Sequence, residues 1–213
     1  MKEIAECVMG KIFYVMGKSA SGKDTVYKQI HSRMPELKTV RMYTTRPIRD
    51  GETDGVEYFF VDETYLHKCR ENGTLIECRT YDTVYGPWNY FTVDDGQIDL
   101  GHGCYLVMGT LESYEKMRLF YGTDALVPLY IHVEDGLRLR RALEREEQQK
   151  VPKYKEMCRR FLADEEDFKQ ENLDRCGIVK WYENVVLEDC LEEIMGVIRS
   201  YYHNHLIDFQ LSR

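Results

Sequence analysis

Apolar positions along the chain alternate between two rhythms. Lys11–Met16 (Lys-Ile-Phe-Tyr-Val-Met) is a short apolar run rich in β-formers that stops at Gly17, the pattern of a buried strand. From Lys23 the apolar residues Val26, Tyr27, Ile30 and Met34 recur at helical spacing until Pro35 closes the segment. Leu37–Tyr43 predicts a second, weaker strand. Strand, loop, helix and strand open a parallel α/β sheet.

Further on, Cys104–Met108 predicts another buried strand and Leu111–Phe120 a helix stopped by Gly122. Leu126–Val133 predicts a strand that Pro128 pushes towards a sheet edge or a strand start. Asp135–Gln149 and Tyr154–Leu173 predict two strongly charged helices joined through Val151 and Pro152. Val185–Leu187 predicts a last short strand. Asp189–Tyr202 predicts an amphipathic helix with Leu191, Ile194, Met195 and Ile198 on one face. Between Thr44 and Val93 the texture changes to turns and aromatics, with one helix expected over Thr64–Asn72 before Gly73. The expected organisation is one α/β domain: a central parallel sheet flanked by helices (1–43, 94–134 and 174–213), an inserted subdomain (44–93) and a charged helical pair (135–173).

Composition narrows the function. A net charge of −8 over 213 residues speaks against general nucleic-acid binding, which needs a basic surface. No apolar run reaches the length of a membrane span, and Met1–Met9 lacks the apolar block of a signal peptide, so a cytoplasmic protein is expected. The seven cysteines are scattered without a Cys-x-x-Cys, and the six histidines show no ligand spacing. Free thiols are therefore expected rather than a zinc site.

Chemistry begins at Gly17-Lys18-Ser19-Ala20-Ser21-Gly22-Lys23-Asp24-Thr25, which matches the Walker A pattern Gly-x4-Gly-Lys. Glycines let backbone N–H groups curl around a phosphate, and the following helix N-terminus adds partial positive charge. Gly17, Ser19, Ser21, Gly22, Lys23, Asp24 and Thr25 are the expected ATP contacts, with Lys23 reaching the terminal phosphates. Asp24 stands where Ser or Thr normally holds Mg²⁺. A carboxylate suits that cation together with Thr25, and it equally suits capping the helix.

Downstream, Thr44-Thr45-Arg46-x-x-Arg49-x-Gly51-Glu52-x-Asp54-Gly55-x-Glu57-Tyr58-x-Phe60-Val61 resembles the nucleotide-acceptor motif of the guanylate kinase family. The resemblance implies a P-loop kinase fold in which 44–93 binds the acceptor and 135–173 forms a lid. It implies ATP with Mg²⁺ as donor and a small phosphorylated acceptor, first of all GMP. Arg46, Arg49, Tyr58 and Tyr85 would hold the acceptor's phosphate, in keeping with the way guanidinium forks and phenols bind phosphate. Glu77 would accept hydrogen bonds from guanine N1 and N2. Arg141, Arg145 and Arg160 would close over the transferring group, joining Lys23 and Arg46 as catalytic charges.

Several family positions have changed. Met42 and Pro87 replace hydroxyl residues of the base reader, and Met108-Gly109-Thr110 replaces a strand ending in Asp-x-Asp. That last stretch and Gly-Lys-Asp-Thr also resemble the ribose 1,5-bisphosphate phosphokinases, which makes a sugar bisphosphate the alternative acceptor. A non-catalytic guanylate-kinase-like binding module is the other alternative.

Overall fold

The computed structural model describes residues 10–83 and 86–211. Five parallel strands form the central sheet: β1 (Ile12–Met16), β2 (Lys38–Thr39), β7 (Tyr105–Met108), β8 (Leu126–His132) and β9 (Trp181–Glu183). Their spatial order is β2-β7-β1-β8-β9. Both faces of β1 are buried, so its side chains split by parity between two cores. Phe13 and Val15 pack with Val26 and Ile30 of α1 (Lys23–Arg33) and with Leu191, Ile194 and Ile198 of α7 (Leu187–Leu211). Ile12, Tyr14 and Met16 pack with Leu111, Tyr114 and Met117 of α3 (Leu111–Tyr121) and with Leu173 of α6 (Gln170–Arg175).

A second, four-stranded sheet has the order β4-β3-β6-β5, built from β3 (Tyr43–Thr44), β4 (Phe59–Phe60), β5 (Leu75–Thr83) and β6 (Gly86–Val93). Helix α2 (Glu63–Glu71) covers it through Leu66 and Cys69, which meet Tyr43 and Phe91. Two more helices, α4 (Asp135–Glu147) and α5 (Tyr154–Asp167), follow β8.

Three predicted elements differ, and a fourth takes one of its two expected placements. The segment Leu37–Tyr43 is two strands in two sheets: its middle is bound by a side chain, since Gln97 accepts from the Arg41 N–H at 2.8 Å and donates to the Arg41 carbonyl at 3.1 Å. β8 lies inside its sheet with Pro128 near its start, one of the two placements expected. Among the described residues β9 pairs only from Tyr130 onwards, so at Pro128 the strand has a neighbour on one side alone and the missing N–H goes unnoticed. The helix expected over Tyr154–Leu173 breaks at Phe168, whose ring stacks on Tyr130 at 5.4 Å, while the Asn172 amide takes the carbonyls of Glu166 and Asp167. The last strand is Trp181–Glu183 rather than Val185–Leu187. Tyr182 is the residue that enters the core, and Val185 and Val186 stay 60% and 53% exposed.

Ile194→Ala, in the core, is expected to cost about 2–5 kcal/mol, a fall of roughly 5–15 °C in Tm. Val186→Ala should stay within about 0.5 kcal/mol. Thermal melts of both variants check the placement of β9, and a large effect of Val186→Ala would contradict it.

Candidate functional site

The loop after β1 is shaped by local sterics. Gly22 sits at φ 85° as the N-cap of α1, and a Cβ there would come within 2.4 Å of the Asn184 amide. That amide donates to the Ser21 carbonyl at 2.8 Å from a buried position at the end of β9. Gly17 is equally constrained, since a Cβ would come within 2.6 Å of the Ile131 carbonyl. Asn184 was not legible as a site residue, because in the sequence it is a polar residue just before the apolar Val185–Leu187 run and belongs to no motif. Ser21 is fully buried, and its hydroxyl has no partner among the described residues. Asp24 and Thr25 are exposed in the first turn of α1, and no side chain caps that helix.

Carboxylates from α5 reach this loop. Asp164 accepts from the Ser19 backbone N–H at 2.8 Å, and Glu165 accepts from Lys18 at 2.8 Å. Arg138 of α4, 1% exposed, donates to the Ser19 carbonyl at 3.1 Å, to Asp135 at 2.6 Å and to Glu165 at 2.8 Å. Its guanidinium also lies 4.6 Å from the Phe161 ring centre. A buried guanidinium needs such a full set of partners. Its sequence signal, Asp135 and Arg138 at helical spacing, looks like any surface ion pair.

Between the loop and the second sheet lies a cavity of about 610 Å³. Gly17, Ser19 and Lys23 line one wall. Arg49, Tyr58 and Tyr90 line the other, and Arg159, Arg160 and Asp164 of α5 border it. Arg46 is 3% exposed and lies behind this wall. It donates both terminal nitrogens to Glu52 at 2.7 and 2.6 Å, and stacks 5.3 Å from the Tyr58 ring and 5.1 Å from the Phe60 ring. Its buried Nε has no partner among the described residues. The Arg46 guanidinium holds the Glu52 carboxyl down at about 2. Arg49 is exposed, with its guanidinium 6.0 Å from the Trp88 ring.

A register irregularity between Leu75 and Glu77 sets the face of β5 that carries Glu77, Arg79 and Tyr81. Glu77 is 2% exposed and accepts from the Thr92 hydroxyl at 2.8 Å and from Arg79 Nε at 3.1 Å. Arg79, not Glu77, lines the cavity, next to Met42, Tyr81 and Met108. Arg79 was not singled out from the sequence, although its i,i+2 spacing from Glu77 on a strand was a usable signal. Thr110 also lines the cavity and caps α3 through a reciprocal bond pattern with Ser113, a structural use for that position.

The predicted arginines separate. Arg145 and Arg160 line a neighbouring cavity of about 360 Å³ with Ser19 and Arg49, and Arg160 borders the larger one as well. Arg141 lines neither; it donates to the Asn184 carbonyl at 2.9 Å. Tyr85 lies outside the described residues. Among the described residues no group of three or more His, Cys, Asp or Glu side chains could hold a metal ion, and no helix is long and apolar enough to cross a membrane.

The family model described as Guanylate kinase matches residues 9–91. The guanylate kinase of Thermus thermophilus is 30% identical over 197 residues, 88% of this chain and 78% of that protein. That of Thermotoga maritima is 28% identical over 195 residues, 90% of this chain and 87% of that protein. The crystal structure of guanylate kinase from Anaplasma phagocytophilum shares the fold, with a TM-score of 0.56 at 17% identity over 91% of this chain and 86% of that one. Similarity of this extent and identity, on a phosphate loop facing an arginine-lined cavity, means that the chain belongs to the guanylate kinase family.

Proposed function

We propose that the protein transfers the γ-phosphoryl group of ATP to the phosphate of a nucleoside monophosphate, with GMP as the first acceptor and GDP as the product. The observation that carries this reading is the single cavity of about 610 Å³ with Lys23 on one wall and Arg49 and Tyr58 on the other. Two phosphate-binding sets across one cavity suit a reaction between two polyanions.

Gly17, Ser19, Ser21 and Gly22 would supply the loop around the donor phosphates. Lys23 would follow charge onto the transferring group. Arg49 with Tyr58 would hold the acceptor's phosphate; Arg46, buried behind them with both terminal nitrogens on Glu52, would join them only if that pair opens. Arg145 and Arg160 would come in from α4 and α5 acting as a lid. Arg141 is held away by the Asn184 carbonyl, so it joins them only if α4 moves. No general base is needed, because the attacking phosphate oxygen is already anionic. Catalysis then rests on positioning and on offsetting like-charge repulsion.

Asp24 and Thr25 fit Mg²⁺ as hard oxygen donors, exposed at the loop and free of a capping role. A Mg²⁺ ion held by these residues would supply charge neutralisation to bound phosphates. The described cysteines are all free, which supports placing the reaction in the cytoplasm.

Two predictions follow from this assignment. With MgATP, a panel of GMP, dGMP, AMP, UMP and ribose 1,5-bisphosphate should show turnover with GMP. Turnover of the sugar bisphosphate alone, or ATP binding without turnover of any acceptor, overturns the proposal. Arg49→Ala, an exposed substitution, should lower kcat/KM for the acceptor by roughly ten- to a thousandfold and leave the KM for ATP within about twofold. Arg46→Ala should act in the same direction. Steady-state kinetics with each substrate varied in turn checks both, and an equal loss of ATP affinity would assign these arginines to the other ligand.

A further inference from the structure

In the acceptor cavity the groups available to read a base have an unusual sign. Glu77 accepts from Thr92 and Arg79, and its side chain has no exposed surface. It does not reach the cavity; Arg79 lies over it and does. Arg79 is held from below through Nε and, at 3.5 Å, through Nη2 to the second Glu77 oxygen, and Nη2 also contacts the Met42 sulfur at 3.5 Å. Among the described residues Nη1 makes no hydrogen bond, although the side chain is 10% exposed. Met42 and Pro87 have no side-chain donor to offer. The cavity therefore presents a guanidinium edge, a donor surface, where a carboxylate would have presented an acceptor.

We propose that Arg79 is the base-reading residue of the acceptor site, and that Glu77 is the positioning residue that aims it. The inference rests on the kinase reading above. A guanidinium fork matches the O6 and N7 acceptors of a 6-oxopurine, the commonest specific arginine–base contact. Adenine offers an N6 amino donor in place of O6, so it meets donor with donor and leaves a buried group unpaired. The 2-amino group of guanine meets no acceptor from Glu77, whose carboxylate is turned away from the cavity towards Thr92 and Arg79. The acceptor class is thus 6-oxopurine nucleoside monophosphates, with guanine and hypoxanthine treated nearly alike.

The unmodified enzyme tests this directly. The expected kcat/KM for IMP lies within about fivefold of that for GMP, whereas AMP falls by at least about a hundredfold. The GMP analogue with carbon in place of N7 should lose roughly ten- to a hundredfold. Arg79→Lys keeps the charge over Glu77 but removes the fork. It should raise the KM for GMP, abolish the N7 penalty and leave the KM for ATP unchanged. Glu77→Gln should reproduce part of that loss through the acceptor KM. Turnover of GMP with rejection of IMP by a hundredfold or more overturns the inference while the kinase reading stands. An N7 penalty that persists in Arg79→Lys overturns it too. Failure of every purine monophosphate overturns both readings.

Discussion

A guanidinium with 1% of its surface exposed must find acceptors for all its N–H groups, and the way Arg138 finds them sets the geometry around it. It takes the Ser19 carbonyl from the phosphate loop, Asp135 from its own helix and Glu165 from α5. Three segments far apart in sequence are thereby fixed to one point. Removing the arginine would leave carboxylates facing one another beside the loop. Replacing it by lysine would lose the planar fork that spans them.

The same device recurs at the opposite wall. Arg46 is paired with Glu52 at 2.6 Å, and Arg79 is paired with Glu77 at 3.1 Å. In each pair the carboxylate orients a cation against the cavity wall. An oriented cation loses less freedom when an anion or a polarised oxygen arrives, which is how a site prepares for charge. The two pairs differ in reach: Arg79 borders open space, while Arg46 stands one layer back behind Tyr58.

Much of this was legible from the chain. β1, α1 and α3 follow from apolar periodicity, and the phosphate loop follows from Gly17, Gly22 and Lys23. What was not legible depends on pairing across the fold. Val185 and Val186 look like a strand because β-branched apolar residues favour strands, yet Tyr182 fills the core position opposite Ile131. Phe168 ends α5 because an aromatic partner on β8 draws it inward, and helical spacing does not encode that partner. Glu77 was read as a ligand contact from its place in a motif. Arg79, two residues on, covers it and belongs to no motif, so the packing of the strand against the cavity is what marks it.

The Asp164 carboxylate on the Ser19 N–H has a further consequence. That amide has one hydrogen to give, so an incoming phosphate oxygen takes it only by evicting the aspartate. Eviction removes one tie between α5 and the loop and leaves the Glu165–Lys18 pair in place. Nucleotide arrival and the loosening of that helix would then share one exchange of anions, and their free energies would be linked.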